Sequence, residues 1–309
     1  MTTRALRLAE LSRPTPWRTF PLAMMLSLGQ IGIAYYVSLC FNSTTILILS
    51  SYIVGAFFSH ALTVVLHEFG HNLCFASRSA NHVGGILLSV PLGLPVSRPF
   101  IEFHRYHHID LCIQTMDPDV PLPAEIWVFD SFGWVGKLIW LILQPILYSV
   151  RPMVMGLPIR DIISQVINVG LVIIWHALLF YIIDPSGRMS LYLIMSTIFA
   201  SSLHPAGMHI LFEHYPISLP AGSTAPQTYK TFSYYGWFNY LCLGLGYHRE
   251  HHDFPMVPCY HLPEIRTLFP ERFPEDGCVR SLWTVFTTFV FDPKITLHNR
   301  ASSFAKEKS

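Results

Sequence analysis

Long uninterrupted apolar runs constrain this chain more than any other feature. A helix rises 1.5 Å per residue, so about 20 apolar residues cross the roughly 30 Å hydrocarbon core of a bilayer. Four stretches meet that requirement, near 21–41, 46–66, 162–183 and 190–212. Asn42-Ser43-Thr44 separates the first two and Asp184-Pro185-Ser186-Gly187-Arg188 the last two. Each pair therefore reads as a helical hairpin with a minimal connecting turn. Composition agrees: charged residues make up 13% of the chain, against about 25% in a soluble domain. A formal net charge of +1 gives no electrostatic case for a nucleic-acid partner.

Lysine and arginine set the expected sidedness, because cytosolic segments carry the excess of them. Four fall in residues 1–20, six in 67–161 and nine in 204–309, while the two hairpin turns hold none and one. Both termini and the central segment are thus expected in the cytosol. Residues 1–20 read as a short cytosolic segment, with a single membrane domain over 21–309. The first apolar run follows four arginines and is too long for a signal peptide, so it reads as a retained anchor. Two weaker stretches are expected not to span. Val83–Val96 is short and broken by Gly84, Gly85, Pro91, Gly93 and Pro95, which suits a re-entrant or interfacial segment. Trp134–Val150 contains Lys137 and Pro145, and its Trp134 and Trp140 suit a helix lying at the membrane surface. The expected fold is all-α and integral to the membrane, with four transmembrane helices in two hairpins, a cytosolic histidine-rich cap and interfacial helices.

The six cysteines form no CxxC pair and read as reduced thiols, not as a disulfide framework or a thiolate zinc site. The sixteen histidines are more informative. Eight fall in three short patterns: His67-Glu68-Phe69-Gly70-His71, His104-Arg105-Tyr106-His107-His108 and His248-Arg249-Glu250-His251-His252. Residues three and four apart share a helix face, so each pattern presents two or three imidazoles together. Eight imidazoles exceed what one tetrahedral zinc ion uses, so two metal ions are the economical reading. Lone histidines in apolar runs, such as His60 and His176, are instead expected to be hydrogen-bonded interior residues. His204, His209 and His214 step by five residues, about 140° apart on a helix, and cannot all face one metal. His214, then His209, is the expected source of a ninth ligand. Carboxylates near the clusters, Glu68, Asp117, Asp119, Glu250 and Asp253, are candidates to accept the other ring N–H of a ligating histidine and fix its tautomer.

At these residues the sequence resembles the membrane fatty-acid desaturases, and among them the sphingolipid (dihydroceramide) Δ4-desaturases. The likeness extends to Asp117-Pro118-Asp119-Val120-Pro121, Gln144-Pro145, Arg151-Pro152, His204-Pro205, Glu213-His214-Tyr215 and Ser233-Tyr234-Tyr235-Gly236. It ends with Gly246-Tyr247-His248 through Glu250-His251-His252-Asp253-Phe254-Pro255 and covers roughly residues 20–300. Two departures stand out. The acidic-proline-histidine signature usual before the first span is absent, and Arg249 stands where asparagine is common. The resemblance implies two iron ions, molecular oxygen as co-substrate, and electrons from cytochrome b5 and its NADH-dependent reductase. It implies a sphingolipid substrate in the bilayer, residence in the endoplasmic reticulum membrane, and no catalytic side chains beyond the metal ligands. The expected product is the trans Δ4 double bond of ceramide. C4-hydroxylation or desaturation of another acyl lipid are the alternatives. A remote alternative is an intramembrane zinc protease, because His67-Glu68-Phe69-Gly70-His71 also fits HExxH. The final Lys306-Glu307-Lys308-Ser309 is an imperfect retrieval-like tail.

Overall fold

Helix starts in this chain carry their own signals. Ser43, Ser77, Asp161 and Ser281 each accept the backbone N–H three residues on, at 3.1–3.3 Å, which satisfies donors that a helix start leaves unpaired. The computed structural model describes residues 3–217, 230–275 and 278–300, and the retrieval-like tail at 306–309 lies outside them. The described residues are helical, with Tyr234 and Val279 forming an isolated β-bridge. Four helical stretches are long and apolar enough to cross a bilayer: Thr3–Cys40, Thr44–Gly70, Gly133–Val154 and Ile162–Ile183.

The chain divides into two compact units. The first comprises the chain up to Glu102 with Ile159–Ala206 and Met256–Pro258. Within it Pro16–Cys40, Ala56–Gly70 and Arg188–Ala200 pack together around small residues. Gly55, in a π-helical turn before Ala56, has no space for a side chain, because a Cβ there would collide with Ser196 and Tyr192. The close approach lets polar groups meet in an apolar setting. Gln30 Nε2 donates to Ser59 Oγ at 3.0 Å, and Thr197 Oγ1 lies 3.2 Å from the same hydroxyl. Small residues at the contact with interhelical hydrogen bonds are how helices associate where lipid removes the hydrophobic drive.

The expected span at 190–212 is not one helix. Arg188–Ala200 is 13 residues, about 20 Å long at the usual rise and short of the hydrocarbon thickness. The chain then turns and resumes as Pro205–Met208 and His209–His214, as a proline without a donor N–H dictates. The Val83–Val96 region does change direction. Arg78–Leu92 and Ser97–Ile109 meet at 119°, turning at Gly93, whose φ of 66° is left-handed. His176 is the interior residue expected. Its Nε2–H donates to the Gly93 carbonyl at 2.8 Å, which leaves Nδ1 to accept from the Ser190 hydroxyl at 2.9 Å.

The second unit comprises Phe103–Pro158, Gly207–Pro255 and the chain from Cys259. Gly133–Val154 packs there against Pro123–Ser131 and Leu282–Phe291. Its polar residues recur at seven-residue steps and face inward. Lys137 Nζ donates to the Phe289 and Asp292 carbonyls at 2.8 and 2.9 Å. Arg151 grips Glu125 with two bonds of 2.8 Å and Gln144 at 2.9 Å. Trp140 donates to Glu125 at 2.9 Å, so it is buried and does not anchor at an interface as its sequence context suggests. With Lys137, Trp140, Gln144 and Arg151 bonded inside, the outer face keeps Ile139, Ile142 and Ile146 exposed. That is why a helix carrying Lys137 and two prolines still has the length and composition of a span.

Gly55→Val is expected to lower stability in detergent by about 1–3 kcal/mol through overpacking, whereas Thr197→Val, which removes only hydroxyl bonds, costs about 0.6 kcal/mol. Thermal unfolding midpoints of the two variants check the ranking, and an unchanged midpoint for Gly55→Val would contradict the close approach.

Candidate metal centre

The second and third histidine patterns lie on helices whose local sequence fixes their rings. Ser97–Ile109 carries His104, His107 and His108. His248–Asp253 is one and a half turns long and carries His248, His251 and His252. So short a helix needs outside support, and the Ser233-Tyr234-Tyr235 segment gives it. Ser233 and Tyr235 hydroxyls donate to the buried Glu250 carboxylate at 2.6 and 2.5 Å, and the Arg249 N–H donates to Ser233 Oγ at 3.1 Å. His214 ends the helix His209–His214 and is buried.

Two groups of imidazoles converge within the second unit. The ligand atoms of His107, His214, His248 and His252 all lie within 4.8 Å of one another. Neighbouring Nε2 atoms are closer: 3.2 Å for His107–His252, 2.9 Å for His252–His248 and 3.0 Å for His248–His214. In the second group His104 and His108 face each other at 3.0 Å, and His108 and His251 at 3.1 Å, again Nε2 to Nε2.

Hydrogen placement decides what these contacts are. A carbonyl or carboxylate only accepts, so a ring nitrogen bonded to one must carry the hydrogen. His107 Nδ1 donates to Asp117 Oδ1 at 3.0 Å, and His214 Nδ1 to the Lys230 carbonyl at 3.3 Å. In their neutral forms the Nε2 atoms of His107 and His214 are then bare lone pairs. His252 Nε2 faces two nitrogens at once with at most one hydrogen to share. A network of lone pairs at this spacing repels unless a cation sits among them. With metal–nitrogen bonds of about 2.1 Å, adjacent ligands stand about 3.0 Å apart at right angles and 3.4 Å in a tetrahedron. The observed spacings match. Burial and then the neighbouring imidazoles hold His252 well below the ordinary histidine range. Burial and then Arg300 do the same for His214. Both rings are thus in the neutral form a metal requires.

The carboxylates sort by position. Asp117 is the direct partner of His107 and also accepts the Cys112 and Asp119 N–H groups at 2.8 and 2.9 Å. Asp119 lies 3.6 Å from the same ring. Glu250 supports its helix through Ser233 and Tyr235. Asp253 sits in an ion pair with Arg272 at 3.6 Å, partly exposed. In the first unit His67 and His71 have ring centroids 4.5 Å apart at the end of Ala56–Gly70, with Glu68 buried between them in sequence. Among the described residues His209 belongs to no group of converging ligand atoms. His204 turns away too, its Nδ1 accepting the Ala206 N–H at 3.1 Å.

Three residues beyond those expected from the sequence surround the four-histidine group. Glu213 Oε1 lies 3.3 Å from His248 Nδ1. Burial pushes its carboxyl well up, an effect a nearby metal cation opposes. Tyr148 lines a small cavity together with Asp119. Arg300 donates to Asp119 Oδ2 at 3.0 Å. Glu213 had a sequence signal, a carboxylate in an otherwise apolar stretch beside His214. Tyr148 and Arg300 had none.

The family model described as fatty acid desaturase matches residues 42–283. The chain is 34% identical over 253 residues to a sphingolipid delta(4)-desaturase of Xenopus tropicalis, covering 81% of this chain and 74% of that protein. It is 33% identical over 302 residues to a sphingolipid delta(4)-desaturase of Komagataella phaffii, covering 95% of this chain and 81% of the relative. A Caenorhabditis elegans relative, 32% identical over 254 residues with 80% and 66% coverage, carries a name coupling sphingolipid delta(4)-desaturase with C4-monooxygenase.

His214→Ala is expected to lower bound metal to about half that of the unaltered chain, whereas His209→Ala leaves it unchanged. Elemental analysis of purified protein checks this, and equal metal content in both variants would remove His214 from the ligand set.

Proposed function

The chain belongs to the fatty acid desaturase family, and from that premise we propose that it is the O2-dependent enzyme that introduces the trans Δ4 double bond into the sphingoid base of dihydroceramide. The observation that carries the reading is the set of facing Nε2 lone pairs. His107, His214, His248 and His252 hold one iron, and His104, His108 and His251 contribute to the other, with His67 and His71 completing the ligand set. The names of the relatives supply the substrate class.

When bound, two iron ions supply the oxygen activation needed to break unactivated C–H bonds. The protein's share is to hold neutral imidazoles rigidly and to place two adjacent methylenes of the lipid within reach while keeping water out. Asp117 keeps His107 in one tautomer. Ser233 and Tyr235 keep the third histidine pattern in register through Glu250. Electrons come from cytochrome b5 and its NADH-dependent reductase. The lysine and arginine distribution supports a multi-pass arrangement with termini and histidine patterns in the cytosol, and the family resemblance supports residence in the endoplasmic reticulum membrane.

C4-hydroxylation is a second reading, favoured by the name of the Caenorhabditis elegans relative. Loss of a second hydrogen gives the alkene, whereas oxygen transfer gives the alcohol. The HExxH protease reading leaves six clustered histidines without a role.

Expression in cells lacking Δ4-desaturation is expected to restore sphingosine-type bases, detected by mass spectrometry. His251→Ala is expected to lower product by at least about 100-fold, since a missing ligand leaves the centre incomplete. Accumulation of 4-hydroxy bases alone would replace desaturation by hydroxylation, and normal turnover of His251→Ala would remove that residue from the centre.

A further inference from the structure

Arg300 is the described residue furthest along the chain, yet it is buried beside a histidine of the candidate centre. It is 5% exposed and lies in the turn Leu297–Arg300. Its NH2 donates to Asp119 Oδ2 at 3.0 Å, and its NH1 lies 3.3 Å from the Ile210 carbonyl in the helix that ends at His214. The turn is itself held in place, since the Leu297 N–H donates to Asp130 Oδ1 at 3.0 Å. A buried guanidinium that spends its donors on fixed acceptors is there for geometry, because its desolvation has to be offset by every bond it makes.

What that geometry controls is the carboxylate pair against His107. Asp117 and Asp119 approach the same ring nitrogen at 3.0 and 3.6 Å. Left alone, two anions at one imidazole repel, and a carboxylate near a metal is itself a competent ligand. Arg300 occupies Oδ2 of Asp119, and Arg151 NH1 lies 3.2 Å from the Asp119 carbonyl. Next to them is a cavity of about 20 Å³ lined by Asp119, Trp140, Gln144, Tyr148, Ile210 and Arg300. That is room for one water, and two of the residues lining it hold buried polar atoms that lack a hydrogen-bond partner in the protein, Asp119 Oδ1 and Arg300 Nε.

We infer that Arg300 is a positioning residue for the metal centre. It fixes Asp119 beside His107, so that the carboxylate supports the ring and stays out of the metal's coordination shell, with one water completing the bonds of Asp119 and Arg300. The inference rests on the proposed role of His107 as an iron ligand. It makes the turn Leu297–Arg300, whose His298 belongs to no group of converging ligand atoms among the described residues, part of the metal site.

The test uses full-length protein in detergent, loaded with iron for affinity and with cobalt(II) for its visible ligand-field spectrum. Arg300→Met is expected to weaken retention of one of the two metals by about 10–100-fold and to change the cobalt spectrum, while Arg300→Lys restores part of the affinity. Asp119→Asn is expected to give the same loss, and the double variant Arg300→Met with Asp119→Asn no more than either alone. If Arg300→Met does not fold, Asp119→Asn with Arg300→Lys carries the test. Unchanged affinity and spectrum in the folded Arg300 and Asp119 variants, with metal loss in His107→Ala, would overturn the inference and leave the ligand assignment standing. Retention of both metals by His107→Ala would overturn the assignment itself.

Discussion

Four imidazoles whose neighbouring Nε2 atoms stand 2.9–3.2 Å apart, with hydrogens pinned on the far side of at least two of the rings, are a repulsive arrangement in the absence of a cation. The pinning matters as much as the proximity. Asp117 and the Lys230 carbonyl accept from Nδ1 of His107 and His214 and leave nothing on Nε2 to donate. Everything else in the second unit follows from keeping that arrangement intact. The helix His248–Asp253 is too short to persist alone, and Glu250 ties it to Ser233 and Tyr235.

The same economy governs the apolar helices. Several polar side chains in them are gathered inward into bonded clusters. Arg151, Glu125, Gln144 and Trp140 form one buried network, and Lys137 closes on two carbonyls. Gln30, Ser59 and Thr197 form another in the first unit. A half-satisfied group in such surroundings costs several kcal/mol, so each network fixes helix register. Rigid register is what a centre built from side chains far apart in sequence requires, because a displacement of about 1 Å separates a ligand from a bystander.

Membership of the fatty acid desaturase family and the arrangement of the rings support one another from independent directions. Similarity speaks to the reaction class. Ring geometry speaks to which nitrogens are available. A protease centred on His67 and Glu68 uses neither the seven imidazoles that converge in the second unit nor their outer partners.

Much of this was legible in the sequence, and the reasons are local. Helical spacing of three and four puts His104 with His107 and His108, and His248 with His251 and His252, on shared faces whatever the rest of the chain does. Apolar length marks the stretches at Pro16–Cys40, Thr44–Gly70 and Ile162–Ile183 for the same reason. Other features were settled by tertiary contacts. Trp140 and Lys137 look like surface residues until Glu125 and the Phe289 carbonyl meet them. The stretch 190–212 is apolar enough to span, yet it turns after Ala200 and sends His214 to a metal group while His204 goes elsewhere. Which of the two convergent groups each histidine joins, and that Arg300 reaches Asp119 across 181 residues, depends on pairings between distant segments. Periodicity reports which side of a helix a residue occupies. Only packing decides what that side faces.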